Sequence, residues 1–185
     1  MEPAVVVHAH DRPGVTVVAM NRPEQHNALN QQLTGELTDV FRSLAGRQDI
    51  RVVVFSGNGR SFCAGADLTS TKVTADGGYD LALEAGLRIY DLMMAVESCP
   101  FPVVARVNGS AIGGGMGLVC CCDIVVAVDR AKFSFSEVRL GLIPAVISPF
   151  VLSRISPAAS KELFLTGERF DAQRAQEIGL VQRVV

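Results

Sequence analysis

The stretch that most constrains this chain is Val107-Asn108-Gly109-Ser110-Ala111-Ile112-Gly113-Gly114-Gly115-Met116-Gly117-Leu118. The apolar run before it, Pro102 to Val107, reads as a buried strand. Met116 to Cys122 is apolar nearly all round and reads as a helix buried inside a domain. Strand, glycine turn and buried helix together bring bare backbone N–H groups to the head of a helix dipole. Such a place stabilises negative charge, either on a phosphate or on an oxygen that becomes anionic during a reaction.

A chain of 185 residues, 49% hydrophobic and 19% charged, can bury a substantial core in one domain. It has no run of 18 apolar residues to span a membrane. Met1-Glu2-Pro3-Ala4 lacks the basic-then-apolar pattern of a secretory leader. A formal charge of -2 without a Lys/Arg stripe argues against a nucleic-acid partner. The five cysteines are an odd count, and Cys120-Cys121-Cys122 are consecutive. Neighbouring helix positions diverge by about 100°, so three in a row cannot all ligate one metal. Reduced thiols packed as small apolar residues, in a reducing cytoplasm, account for them.

Along the chain, Val15 to Met20 reads as a strand and Asn21 to Leu29 as a polar turn. Asn30 is placed to cap a helix carrying Leu33, Leu37, Val40, Phe41 and Leu44, with Gly46 as its stop. Arg51 to Ser56 is a strand too apolar to face water on either side, ending in Gly57-Asn58-Gly59. Thr69 to Gly78 reads as a small, polar, mobile loop. Leu83, Leu87, Tyr90, Met94 and Glu97 mark a second long helix, ended by Pro100 and Pro102. Ile124 to Val128 is a further strand, and Lys132 to Ser136 alternates Phe133 and Phe135 with polar residues. Ser156 and Pro157 start a helix that runs to Gly167. Asp171 caps a last short helix stopping at Gly179, and Leu180 to Val185 reads as a final strand. There is no clean sequence repeat, but a strand runs into a glycine-rich turn twice, before Ala66 and before Gly114. The class is α/β.

The glycine turns fit none of the common phosphate or nucleophile motifs. Gly113, Gly115 and Leu118 miss the dinucleotide spacing Gly-x-Gly-x-x-Gly, and no Gly-Lys-Ser/Thr follows. Neither Ser61 nor Ser110 lies in Gly-x-Ser-x-Gly. The histidines, His8, His10 and His26, all lie near the N-terminus; no Ser or Cys partner stands beside them in the sequence, and sequence distance alone does not exclude one. Close packing of helix on strand is the plain alternative use of such glycines.

Several motifs occur in one order: Asn27-Ala28-Leu29, Cys63-Ala64-Gly65-Ala66-Asp67-Leu68, Asn108-Gly109 through Gly113-Gly114-Gly115, Cys122-Asp123, and Phe135-Ser136-Glu137-Val138-Arg139-Leu140-Gly141 with Pro144. Leu165-Thr166-Gly167 and Gly179-Leu180-Val181 close the set. Together they resemble the crotonase family of enoyl-CoA hydratases and isomerases, from about Val15 to Val185. The resemblance implies a crotonase-type spiral of ββα units with buried helices between sheets, as a single core domain over 1–185. It implies an acyl-CoA thioester as partner, with CoA as part of the substrate and no separate cofactor or metal. It further implies a place in fatty-acid metabolism or leucine degradation.

By that resemblance the backbone N–H groups of Ala66 and Gly114 form an oxyanion hole for the thioester oxygen. This agrees with the reading from the residues, since each donor comes from a glycine-rich turn. Fixed donors at a developing charge contribute a few kcal/mol each, roughly 3. Asn27, Ala28 and Leu29 with Ala64, Gly65, Asp67 and Leu68 are the implied wall for the bent CoA and its adenine, and Gly113 and Gly117 line the acyl end. Cys63 is then a wall residue and not a nucleophile. Glu137 is the implied acid–base group, and a surface ion pair with Arg139 is its alternative use.

The pattern departs from the family at Gly117. Hydratases usually place a second glutamate three residues after the middle glycine, and a glycine can neither hold water nor give it a proton. A single carboxyl suits double-bond isomerisation, which needs one base. The run from Ser136 to Phe150 instead resembles the bacterial methylglutaconyl-CoA hydratase branch, whose substrates carry an extra carboxylate that a pocket arginine would pair with. Hydration stands first and isomerisation second. Thioester hydrolysis ranks below isomerisation, and a catalytically impaired acyl-CoA-binding homologue is the reading from another class. Family members usually continue past the Gly-Leu-Val strand into helices that pack against neighbouring subunits. A homotrimer or hexamer is therefore expected only with that part present, and without it apolar surface should be exposed.

Overall fold

The computed structural model describes residues 3–67 and 78–185; Leu68 and the expected loop over 69–77 lie outside them. Two sheets carry the architecture. The larger runs in the order β1 (Val5–Ala9), β2 (Val15–Met20), β3 (Val52–Gly57), β5 (Val103–Val107), β7 (Ile124–Ala127), β10 (Arg183–Val184). The smaller is β4 (Ser61–Cys63), β6 (Ser110–Ile112), β8 (Lys132–Ser134), β9 (Phe170–Asp171). Neighbours are parallel except β1 on β2 and β9 on β8.

The parallel strands of the large sheet are valine-rich, as strands covered on both faces are. In β3, Val53 and Phe55 are fully buried while Val52 and Val54 are half-buried, so neither face is open. The first turn of the spiral is closed by α1 (Gln31–Ser43), and the Asn30 side chain caps it by accepting from Leu33 N–H at 2.9 Å. Leu33, Leu37 and Phe41 of α1 are buried. Phe41 meets Phe55 edge-on at 5.3 Å, and Phe55 meets Phe62 of β4 at 5.4 Å. That aromatic line ties helix, large sheet and small sheet together.

The remaining helices are α2 (Gly78–Glu97), α3 (Gly114–Cys120), α4 (Ser148–Arg154), α5 (Pro157–Thr166) and α6 (Ala172–Glu177). Helix α3 is buried from Gly115 to Cys120 and packs on β4 and β6, with α2 and α4 at its flanks. The Ser156 and Asp171 caps form as read.

Other expectations need correction. Gly78 opens α2 and does not close a loop. The Leu83, Leu87 and Tyr90 stripe is exposed, and Leu92, Met93, Ala95 and Val96 carry the burial of α2. The strand through Phe135 stops at Ser134, and Leu180 to Val185 contributes only the pair Arg183–Val184. Strand β6 stands between β5 and the buried helix, so the central turn is two corners and not one.

That last point exposes the repeat behind the two glycine turns. Strands β3, β5 and β7 of the large sheet each lead straight into β4, β6 and β8 of the small one. Polar side chains stitch successive corners. Asn27 Nδ2 donates to the carbonyls of Asn58, Ser61 and Phe62 at 3.0–3.1 Å. Asn108 Nδ2 donates to Gly59 O at 2.9 Å, and Arg130 Nη2 to Asn108 O at 3.3 Å. Among the described residues no helix is long and apolar enough to cross a membrane.

Candidate active site

The segment Ala64–Asp67 lies against Leu29 as a single parallel bridge, Leu29 with Ala66. Leu29 N–H donates to Gly65 O at 2.7 Å, and Asp67 N–H to Leu29 O at 3.0 Å. In such a ladder the intervening residue turns its N–H to the opposite side. Ala66 N–H therefore faces away from Leu29, and it has no acceptor among the described residues. Close to Ala66 N is Gly114, the first residue of α3, whose N–H is one of the orphan donors of a helix start. A β-carbon on Gly114 would stand 4.0 Å from Ala66 N, and one on Gly65 would stand 3.4 Å from Gly114 N. The structure thus brings Ala66 and Gly114 side by side, and neither N–H group has a backbone acceptor among the described residues.

The approach depends on absent side chains. A β-carbon on Gly65 would lie 2.7 Å from Ile112 O, and one on Gly115 would lie 2.6 Å from Cys63 O. Both distances are to backbone and neither can relax, so the 63–66 and 112–115 segments need glycine to lie this close.

Glu137 reaches the same turn from β8. It does not end that strand; it opens a 3-10 turn over Glu137–Leu140, closed by Gly141 in the left-handed region at φ 70°. Its Oε1 lies 3.5 Å from where a β-carbon on Gly113 would be. Its Oε2 is buried and has no hydrogen-bond partner among the described residues. Burial raises the carboxyl above its ordinary range, so it keeps a proton to higher pH than an exposed glutamate. The expected alternative, an ion pair with Arg139, is not made. Arg139 Nε instead donates to Gly167 O at 2.8 Å, which also accepts from Ser134 Oγ at 3.1 Å.

The expected CoA wall divides in two. Ala64 and Ala66 are exposed, Ala28 and Asp67 are half-buried, and Asp67 pairs with Arg22 at 3.3 Å while Arg22 also donates to Ala28 O. Asn27 is different. It is fully buried at φ 56°, its amide nitrogen is spent on three carbonyls, and its Oδ1 accepts from Arg22 N at 2.9 Å. Its side chain is thus spent inside the protein, where it positions the wall. Gly113 is buried beside Glu137, and Gly117 is buried against Ile147 and Met93.

Cys63 is fully buried, its thiol donates to Asn27 O at 3.1 Å, and burial pushes its pKa up to about 12. A thiol held in that form is no nucleophile. Cys120, Cys121 and Cys122 are likewise buried and free of disulfides, with thiols raised by burial.

Residues 10–185 match the family model described as enoyl-CoA hydratase/isomerase. The chain belongs to the enoyl-CoA hydratase/isomerase family. An Alternaria alternata enoyl-CoA hydratase is 36% identical over 171 residues, covering 92% of this chain and 55% of that protein. The chain thus spans about half the length of such curated relatives. The crystal structure of an enoyl-CoA hydratase from Shewanella pealeana superposes with a TM-score of 0.94 at 34% identity, over 98% of this chain and 68% of that one. One from Bacillus anthracis gives 0.90 at 35%, over 98% and 70%. The mixed α/β spiral with parallel sheets is therefore the fold of enoyl-CoA hydratases of this family.

Ile147 and Met93, which pack where a side chain at Gly117 would be, carry no signal in the sequence for a place at this candidate site. Arg139, the ion-pair candidate for Glu137, holds Gly167 O instead.

Proposed function

We propose that this chain carries the chemistry of an enoyl-CoA hydratase, a lyase that adds water to a 2-enoyl-CoA thioester. The observation that carries the reading is the buried, unpartnered Glu137 Oε2 beside the turn that presents Gly114 N–H next to Ala66 N–H. Glu137 takes a proton from water as its oxygen bonds to carbon three. The electron pair moves through carbon two to the thioester oxygen, where the two N–H groups hold the resulting anion. Glu137, now protonated, returns the proton to carbon two. Water and thioester are consumed together and no other reactant is required. A carboxyl that burial makes a stronger proton acceptor than an exposed glutamate is suited to both halves of this exchange.

The resemblance of the Ser136–Phe150 run to the methylglutaconyl-CoA hydratase branch supports an acyl group with an extra carboxylate as substrate. A second reading is double-bond isomerisation, favoured by one observation. The place of a second carboxyl, at Gly117, is closed by Ile147 and Met93. The test is turnover of 3-methylglutaconyl-CoA, crotonyl-CoA and a 3-enoyl-CoA by the parent and by Glu137→Gln, with product followed by mass. A gain of one water in the parent alone supports the hydratase. A moved double bond at constant mass makes it an isomerase, and thioester binding without turnover overturns both.

A further inference from the structure

Gly113, Gly114 and Gly117 lie on one face of the helix start, since positions three and four apart are neighbours. Gly113 faces the Glu137 carboxyl and Gly114 faces Ala66 N. A side chain at 117 would leave the helix on this face one turn deeper, about 4.5 Å along the axis. That is the reach from a thioester oxygen held at Gly114 to a substituent on carbon three. The space is already filled. A β-carbon at 117 would stand 2.5 Å from Ile147 Cγ2, 3.1 Å from Ile147 Cβ and 2.8 Å from Met93 Cε. The methionine end can swing aside. Ile147 cannot: it is 3% exposed, stands at the head of α4 and is stiff about its first side-chain torsion.

We propose that Ile147 is a specificity-determining residue, whose Cγ2 methyl gives the acyl end of the site an apolar wall at Gly117 and limits the group carried on carbon three. This rests on the reading that the acyl chain runs from the Ala66 and Gly114 donors past Glu137. With the methyl in place no side chain fits at 117, so that position brings no second acid or base to the acyl end. The wall sorts acyl groups by shape close to the reacting carbons.

The test uses the intact chain and two saturated probes, butyryl-CoA and isovaleryl-CoA, which differ by one methyl on carbon three and cannot add water. Calorimetric affinities are measured for the parent, Ile147→Ala and Ile147→Leu; the leucine keeps the volume but moves the branch away from Gly117, and so guards against a poorly folded alanine variant. Removing the methyl should raise the isovaleryl-to-butyryl affinity ratio about fourfold, the worth of one buried methylene. In parallel, Gly117→Ala should lower the Tm of the parent by about 5 °C and that of the Ile147 variants by less than half as much. An unchanged affinity ratio overturns the proposal even if the melting temperatures couple, because the pair is then packing alone. Equal Gly117→Ala effects in all backgrounds overturn it as well. A parent that binds neither thioester defeats the functional reading on which the proposal rests, whereas intact binding with an unmoved ratio defeats the proposal alone.

Discussion

Glu137 and Asn27 show how differently two polar residues can be used inside one core. Glu137 keeps a buried oxygen that no described residue hydrogen-bonds. Its raised pKa means that the folded state holds this proton above the pH at which the unfolded chain has lost it. Stability therefore falls as pH rises from the ordinary carboxylate pKa through the folded one, and is unaffected below both. Glu137→Gln should melt at the same temperature as the parent near pH 4 and higher than the parent at pH 8, by scanning calorimetry at both. The same variant should lose turnover by about 10²- to 10⁴-fold, the usual worth of a general acid–base group. Asn27 is the reverse case, with four side-chain hydrogen bonds inside the protein. Asn27→Ala should cost about 3 kcal/mol in urea unfolding, since it leaves buried carbonyls without donors.

At the scale of elements, α3 and β4 are held at backbone contact by Gly115 against Cys63 O. Gly115→Ala should push them apart at a cost of about 1–3 kcal/mol. Because the two donors sit on these elements, its kcat should fall further than a loss of folded protein explains; circular dichroism and rate on one sample separate the two. Arg139→Ala should act more mildly, loosening the 3-10 turn that aims Glu137 and lowering kcat with KM little changed. The elements legible in the sequence are those with local signals: the Asn30, Ser156 and Asp171 caps, and the valine-rich runs of β3 and β5. Strands of three residues, β4 and β6, have too few positions to show a period, and only their neighbours in the ladder hold them extended. Glu137 was found by resemblance, but its setting in a 3-10 turn rests on Gly141 and on the Gly167 carbonyl, which no local pattern announces. Gly117 read as an empty place. The structure shows it filled from 30 residues further along the chain, by Ile147.

Across the molecule, the thiols report how continuous the core is. Cys63, Cys120, Cys121 and Cys122 are buried and Cys99 is half-buried. Under native conditions a thiol reagent should modify Cys99 alone and slowly, and all five cysteines should react in denaturant; counting labels by intact mass checks this. The corner stitching from Asn27 through Asn108 to Arg130 runs from each winding of the spiral to the next. The two N–H donors also belong to consecutive windings, one on the segment that continues β4 and the other at the helix that follows β6. Their separation is thus set by the spacing of adjacent strands, roughly 4.8 Å in any sheet. A gauge of that kind cannot drift while the sheet exists. Surface loops can lengthen or change composition without moving these two N–H groups relative to each other.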